Sequence, residues 1–153
     1  MRSPIGSSSA PPVIEADSGW RPVPELSELN RPFWTSGAEG VLRLQRCPSC
    51  LRMIHPPALR CQHDQGKPEW VVLSGEATVE SWTVNHHPFF PGFSSPYIIA
   101  FVNPVEDDRV RILTNLIDID PADVAAGMSV RVTFEHGGDE DDPVYFPLFR
   151  PEI

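Results

Sequence analysis

From Val41 the chain alternates between apolar and polar residues. In "VLRLQR", residues 41–46, the period is two, as in a half-buried strand. "MIHPPALR" follows and leads back to Cys61. "EWVVLSG" and "EATVESWTV" are the next two strand-like runs, with a turn or bulge expected at Ser74–Gly75. "YIIAFVN" is almost wholly apolar, which predicts a central strand covered on both faces. "RVRILTNLIDI" and "MSVRVTFE" alternate again, the latter with Val130, Val132 and Phe134 on one side and Arg131, Thr133 and Glu135 on the other. Between them "DPADVAAG" predicts a helix of one to two turns, with Asp120 as N-cap, Pro121 at its first position and Gly127 at its end. A last strand, "VYFPLF", follows the acidic loop "HGGDEDDP".

Five strands with a short helix before the fourth predict a mainly β protein ending in a five-stranded OB-fold barrel over residues 71–153. An immunoglobulin-like sandwich fits less well, because it uses about seven strands and no such helix. Residues 41–70 form a separate small module around the cysteines. Upstream, residues 20–40 predict a helical arm: a short helix over 28–39 with Pro32 in its first turn, Phe33 and Trp34 as anchors and Gly40 as its stop. The alternative for this stretch is an extended arm that packs only against a partner. Residues 1–19, rich in Ser, Pro, Gly and Ala, have too little to bury and are expected to form a disordered leader.

Charge narrows the function. The formal net charge is −9, unevenly spread: residues 1–75 hold eight Lys/Arg against seven Asp/Glu, residues 76–153 four against fourteen. Nucleic-acid affinity comes largely from phosphate contacts, so this acidic half makes a polynucleotide an unsuitable partner. No run reaches the length of a membrane-spanning helix, and "MRSPIGSSSAPPVIEADSGW" lacks an apolar signal core. Three cysteines do not make a disulfide framework, and a reducing, cytoplasmic setting is expected.

The cysteines carry the clearest chemistry. Cys47 and Cys50, in "CPSC", have the spacing of a zinc knuckle, in which a tight turn aims both sulfurs at one ion. After a ten-residue spacer, "CQHD" begins a second knuckle in which Asp64 stands at the fourth ligand position. A carboxylate oxygen is an acceptable zinc ligand. His63 is the rival, but sits one residue early. The expected cofactor is therefore a structural zinc on Cys47, Cys50, Cys61 and Asp64. The competing reading is a lapsed site whose thiols are only small buried hydrophobes.

Taken in order, "RPFWTSGAEGVLRLQRCPSC", the second knuckle, "SGEATVESWTVNHHPFFPGFSSPYIIAFV", "GMSVRVTFE" and "YFPLFRP" resemble a known family from Asn30 to the end. It is the thiolase-associated family of rubredoxin-like zinc-ribbon plus OB-fold proteins, long catalogued as a domain of unknown function. The family pattern has cysteine where this chain has Asp64. The resemblance implies a non-catalytic accessory subunit that binds a thiolase-fold acyl-CoA enzyme, such as a thiolase or a lipid-transfer-type aldolase of steroid side-chain degradation. Other members partner acyl-CoA hydratases. The ribbon and barrel would contact the enzyme and help shape its acyl-CoA channel.

Other residues can be weighed against that expectation. Arg43, Arg46, Arg52 and Arg60 surround the knuckles, and guanidinium groups suit the phosphates of coenzyme A, although plain solvation of a small ribbon explains them too. Phe89, Phe90 and Phe93, in "NHHPFFPGFSSPY", with Phe33 and Trp34 of the arm, have the composition of a partner interface. The bland alternative is a loop folded back onto the barrel. His86 and His87 point to opposite sides of an extended segment and make no joint site. No catalytic motif is found, so no catalytic residue is assigned. The alternative function is a zinc-ribbon/OB module for single-stranded nucleic acid, which both folds permit but do not require.

Overall fold

The computed structural model describes residues 13–15, 21–87 and 96–152. Its elements are β1 (Val13–Glu15), α1 (Arg31–Thr35) continued by a 3₁₀ turn (Ser36–Glu39), β2 (Leu42–Arg46), β3 (Met53–Ile54) and β4 (Glu69–Leu73). The chain goes on through β5 (Glu76–Asn85), β6 (Tyr97–Pro104), β7 (Ile112–Leu116), a second 3₁₀ turn (Pro121–Asp123), β8 (Ser129–Asp139) and β9 (Asp142–Pro151). No helix among the described residues is long and apolar enough to cross a membrane.

Strands β5 to β9 close into a five-stranded OB-fold barrel. The neighbours run β8-β5-β6-β7-β9, and β8 pairs again with β9. All pairs are antiparallel except β7–β9, which meet in parallel at Leu116 and Phe149. A bulge at Glu80 bends the ten-residue β5, which allows one strand to serve both β6 and β8. Inward residues supply the core: Val79, Ile98, Ala100, Val102, Ile112, Val130, Val132, Phe134 and Phe149 are all buried.

The ribbon is a second sheet, ordered β3-β2-β4, and it extends to Leu73, beyond the expected boundary at residue 70. Leu42, Leu44, Met53 and Leu73 join the same apolar cluster as the barrel interior. Ribbon and barrel therefore share one core. The Asp107 carboxylate, in the β6–β7 connection, adds a polar tie by accepting from the Met53 backbone N–H at 3.0 Å.

Several expectations are corrected. The helix predicted over 28–39 is only Arg31–Thr35 plus the 3₁₀ turn. The reason is local: Ser27 and Asn30 exchange backbone-to-side-chain hydrogen bonds, and Asn30 also donates to the Glu25 carbonyl, which commits residues 25–30 to a turn. Pro32 does lie in the first turn, and Gly40, left-handed at φ 72°, ends the segment. The Asp120 cap is present, its side chain accepting from Ala122 N–H, but only one 3₁₀ turn follows. The β6 strand is central, yet its burial alternates rather than being complete on both faces. The acidic loop is the tight end of a long β8–β9 hairpin, with Asp139 paired to Asp142. Within the leader expected to be disordered, Val13–Glu15 pairs in parallel with Phe134–His136.

The arm explains why Thr133 and Glu135 are buried although they sit on the outer side of β8. Leu26 and Trp34 pack on Val144, Phe146 and Leu148 of β9, covering the outside of the hairpin. Trp34 meets Phe146 edge-on at 5.7 Å, and the Arg21 guanidinium lies 5.2 Å from the same ring. Arg21 also pairs with Glu135 at 2.7 Å, so that carboxylate enters the interior with its counter-charge.

Candidate metal centre

Two knuckles with the same backbone face each other across the ribbon. In the first, Leu51 N–H donates to the Cys47 carbonyl at 2.8 Å and Cys47 N–H to the Arg52 carbonyl at 2.9 Å. In the second, Gln65 N–H donates to the Cys61 carbonyl at 2.9 Å and Cys61 N–H to the Gly66 carbonyl at 2.9 Å. Leu51 and Gln65, each four residues after the first cysteine of its knuckle, both take the left-handed conformation, at φ 63° and 61°. The turns are thus equivalent, and Asp64 occupies the place that Cys50 holds in the first.

The donor atoms of Cys47, Cys50, Cys61 and Asp64 all lie within 4.8 Å of one another. The Cys50 and Cys61 sulfurs are 3.7 Å apart, and the Cys47 sulfur is 3.2 Å from Asp64 Oδ1. A tetrahedral ion with bonds of about 2.3 Å to sulfur separates its sulfurs by roughly 3.8 Å. Three sulfurs and one oxygen at these spacings are a donor set that can hold a metal. Four protein donors would leave no position for substrate, which is the arrangement of a structural ion rather than a catalytic one.

The surroundings favour an anionic Asp64. Gly66 N–H donates to its Oδ1 at 2.9 Å, and this bond, with that from the Cys47 thiol, lowers the carboxyl from its ordinary value. The Arg52 backbone N–H likewise pulls the Cys50 thiol down. For Cys47 the Cys50 backbone N–H also pulls downward, but burial and the neighbouring Asp64 outweigh it and the thiol is raised. A bound cation would offset that penalty. Gly66 matters by its size: a Cβ there would stand 2.9 Å from Asp64 Oδ1 and 3.3 Å from the Cys47 sulfur. Buried Gln45 steadies the loop between the knuckles, donating to the Ala58 carbonyl at 3.1 Å and accepting from Ala58 N–H at 2.7 Å.

His63, the rival fourth ligand, is not among the converging donors; its Nε2 accepts from Arg52 Nη1 at 2.8 Å. The four arginines do not form one cluster. Arg43 and Arg46, three residues apart on β2, leave opposite faces of the strand. Each has a carboxylate partner, Glu39 at 2.9 Å for Arg43 and Glu69 at 3.4 Å for Arg46. Arg52 and Arg60 belong to the knuckle loops, and among the described residues neither is ion-paired; Arg60 reaches only the Gln65 carbonyl, at 3.5 Å. Phe33 is 5% exposed and serves as a core residue, packed on His55 and Trp34 rather than presented to a partner. Trp34 is half-buried. Phe89, Phe90 and Phe93 lie outside the described residues. Sequence reasoning missed Leu51 and Leu59, large apolar residues 61% and 76% exposed on the knuckle loops. The signal for Leu51 was available: a leucine where a left-handed knuckle residue is required.

Arm, two-knuckle ribbon and OB barrel define a class of small mainly β proteins, here with a cluster of three cysteines and one aspartate that can hold a metal. The chain belongs to the DUF35 family. Residues 70–135 match the ChsH2 C-terminal OB-fold domain. A DUF35 domain-containing scaffold protein of Methanocaldococcus jannaschii is 30% identical over 112 residues, covering 69% of this chain and 78% of that protein. The structure of an Ltp2-ChsH2(DUF35) aldolase aligns with 86% of this chain and 100% of its own at a TM-score of 0.74 and 31% identity. The 3-oxo-4,17-pregnadiene-20-carboxyl-CoA hydratase alpha subunit of Mycobacterium tuberculosis is 40% identical over 134 residues, 86% of this chain. The chain spans only 40–41% of the length of the hydratase alpha subunits it matches.

Proposed function

We propose that this protein is a non-catalytic accessory subunit of an acyl-CoA enzyme, and that its partner is a thiolase-fold protein of the thiolase or side-chain aldolase type. It binds and stabilises that partner and helps form its acyl-CoA channel. The observation that carries the reading is the alignment of 86% of this chain with the entire matched chain of the Ltp2-ChsH2(DUF35) aldolase. The names of the hydratase and scaffold relatives agree with it.

The site chemistry supports a helper role. The donor atoms of the three cysteines and Asp64 converge to within 4.8 Å of one another, and in this reading they hold a structural zinc. That ion keeps the knuckle loops in place, with Leu51 and Leu59 outward as apolar contacts for the partner and Trp34 at the arm. Arg52 and Arg60, without carboxylate partners among the described residues, are the arginines left to meet coenzyme A phosphates. Phe89, Phe90 and Phe93 complete the proposed interface. The working compartment is the cytoplasm.

The test is affinity purification of the full chain from its native cell at moderate salt, with mass spectrometry of what co-purifies. The expected result is a thiolase-fold aldolase or a thiolase in near-stoichiometric amount; an acyl-CoA hydratase in its place would keep the accessory role and overturn the thiolase-fold partner. Recovery of nucleic acid alone, or of no such enzyme, overturns the proposal.

A further inference from the structure

A cavity of about 610 Å³ lies where arm, ribbon and barrel meet. Phe33 and Trp34 of the arm, His55 to Pro57 of the ribbon, and Ile99, Leu113 and Phe146 of the barrel form its walls. Its volume is within the range of about 300–1,000 Å³ found for small-molecule sites. The barrel wall is the outer face of β6 and β7, the second and third strands of the barrel and the side on which OB folds carry ligands.

Apart from His55 Nδ1, which is buried without a hydrogen-bond partner, its polar side chains are engaged within the chain. Arg21 is neutralised by Glu135 at 2.7 Å and donates to Asn115 Oδ1 at 2.8 Å. Asn115 Nδ2 donates to the Ile98 carbonyl at 2.9 Å, and the Thr114 hydroxyl to the Pro147 carbonyl at 2.8 Å. Asn30 is spent on the turn before α1, and the Tyr97 hydroxyl accepts from Asn85 Nδ2. His55 Nδ1 is sealed in the protein, and burial holds the ring in its neutral form, with its pKa lowered to about 4. A carboxylate, sulfonate or phosphate entering here would lose its water and meet no free counter-charge among the lining groups. An apolar molecule would lose nothing of that kind and gain burial.

We infer that this cavity is a binding site for an uncharged, largely apolar small molecule, and that it rejects anions. The assignment does not depend on the identity of a partner enzyme.

The probes are N-phenyl-1-naphthylamine and its sulfonate, 8-anilinonaphthalene-1-sulfonate, titrated into the full chain by fluorescence. Measurements at 1 M salt, where the Debye length is about 3 Å, remove the repulsion of the protein's net charge from the comparison. The neutral amine is expected to bind at least about tenfold more tightly than the sulfonate. Ile99→Trp, which fills the cavity, and Leu113→Glu, which places a charge at its exposed rim, are each expected to weaken the amine at least about fivefold. Leu113 is 62% exposed, so its replacement does not threaten folding; melting curves check both variants. No binding of the amine, equal affinity for the two probes, or amine affinity unchanged in both variants overturns the inference.

Discussion

Replacing Asp107 by alanine should loosen the ribbon from the barrel, and the expected cost can be worked from its contacts. The side chain is 4% exposed. Its Oδ2 accepts from Met53 N–H at 3.0 Å, and its Oδ1 from Arg109 N–H at 3.0 Å and Arg109 Nε at 2.8 Å. Met53 is itself buried, so its N–H would be left unsatisfied, at a cost of about 1–3 kcal/mol. Arg109 is half exposed, and its ion pair adds less than about 1 kcal/mol. Asp107→Ala should thus destabilise by about 3 kcal/mol, and Asp107→Asn, which keeps one acceptor for Met53, by roughly half of that. Burial alone would raise the Asp107 carboxyl, but the Arg109 side chain and the Met53 and Arg109 backbone N–H groups overcome it and hold the pKa at about 2. A folded-state pKa below the unfolded one means stability that is complete above about pH 4 and is lost as pH falls from there toward 2. Urea denaturation followed by tryptophan fluorescence, comparing wild type and Asp107→Ala at each pH, reads both effects. Acid loss of metal ligands is common to the two proteins and cancels. A penalty below about 0.5 kcal/mol at pH 7, or one that does not shrink between pH 4 and 2.5, would refute the reasoning.

Three further outcomes are expected. Gly66→Ala, with its new Cβ against Asp64 and Cys47, should weaken cobalt binding at least about tenfold, read from the thiolate-to-metal absorption band. A strong chelator should lower the melting temperature of the purified protein, with elemental analysis showing zinc leaving; unchanged melting and no zinc would mark a lapsed site. His55 is held neutral by burial, with its pKa lowered to about 4, so it contributes stability above about pH 6.5 that is lost as pH falls from there toward 4. His55→Phe, which keeps a ring against Phe33, should flatten that part of the pH–stability curve, as measured by urea midpoints from pH 7 to 4.5.

How much of the candidate metal centre was legible in the sequence depended on the range of each interaction. The C-x-x-C knuckle is a closed local turn, and its repetition at Cys61 carried Asp64 into the ligand position through backbone bonds four or five residues long. Asp64, rather than His63, is brought among the donors by the same turn. The arginines show the converse: proximity along the chain is not proximity in space, and the strand period of two sends Arg43 and Arg46 to opposite faces. The helix of the arm came out shorter than its apolar pattern because side-chain bonds between Ser27 and Asn30 took residues the helix would have needed.

The order of strands was written in their alternation, since a strand with one buried face must place every second residue inward. The sequence alone therefore determined the five-stranded barrel, the two knuckles and the donor types they offer. What it left open were pairings made across long loops. Arg21 meets Glu135 across 114 positions and Asp107 meets Met53 across 54. Those contacts seat the arm over the β8–β9 hairpin and the ribbon against the barrel, bury Phe33 instead of exposing it, and enclose the cavity among three parts of the chain. Hydrophobic patterning says which residues leave water but not which other segment they leave it for; only the packed tertiary structure decides that.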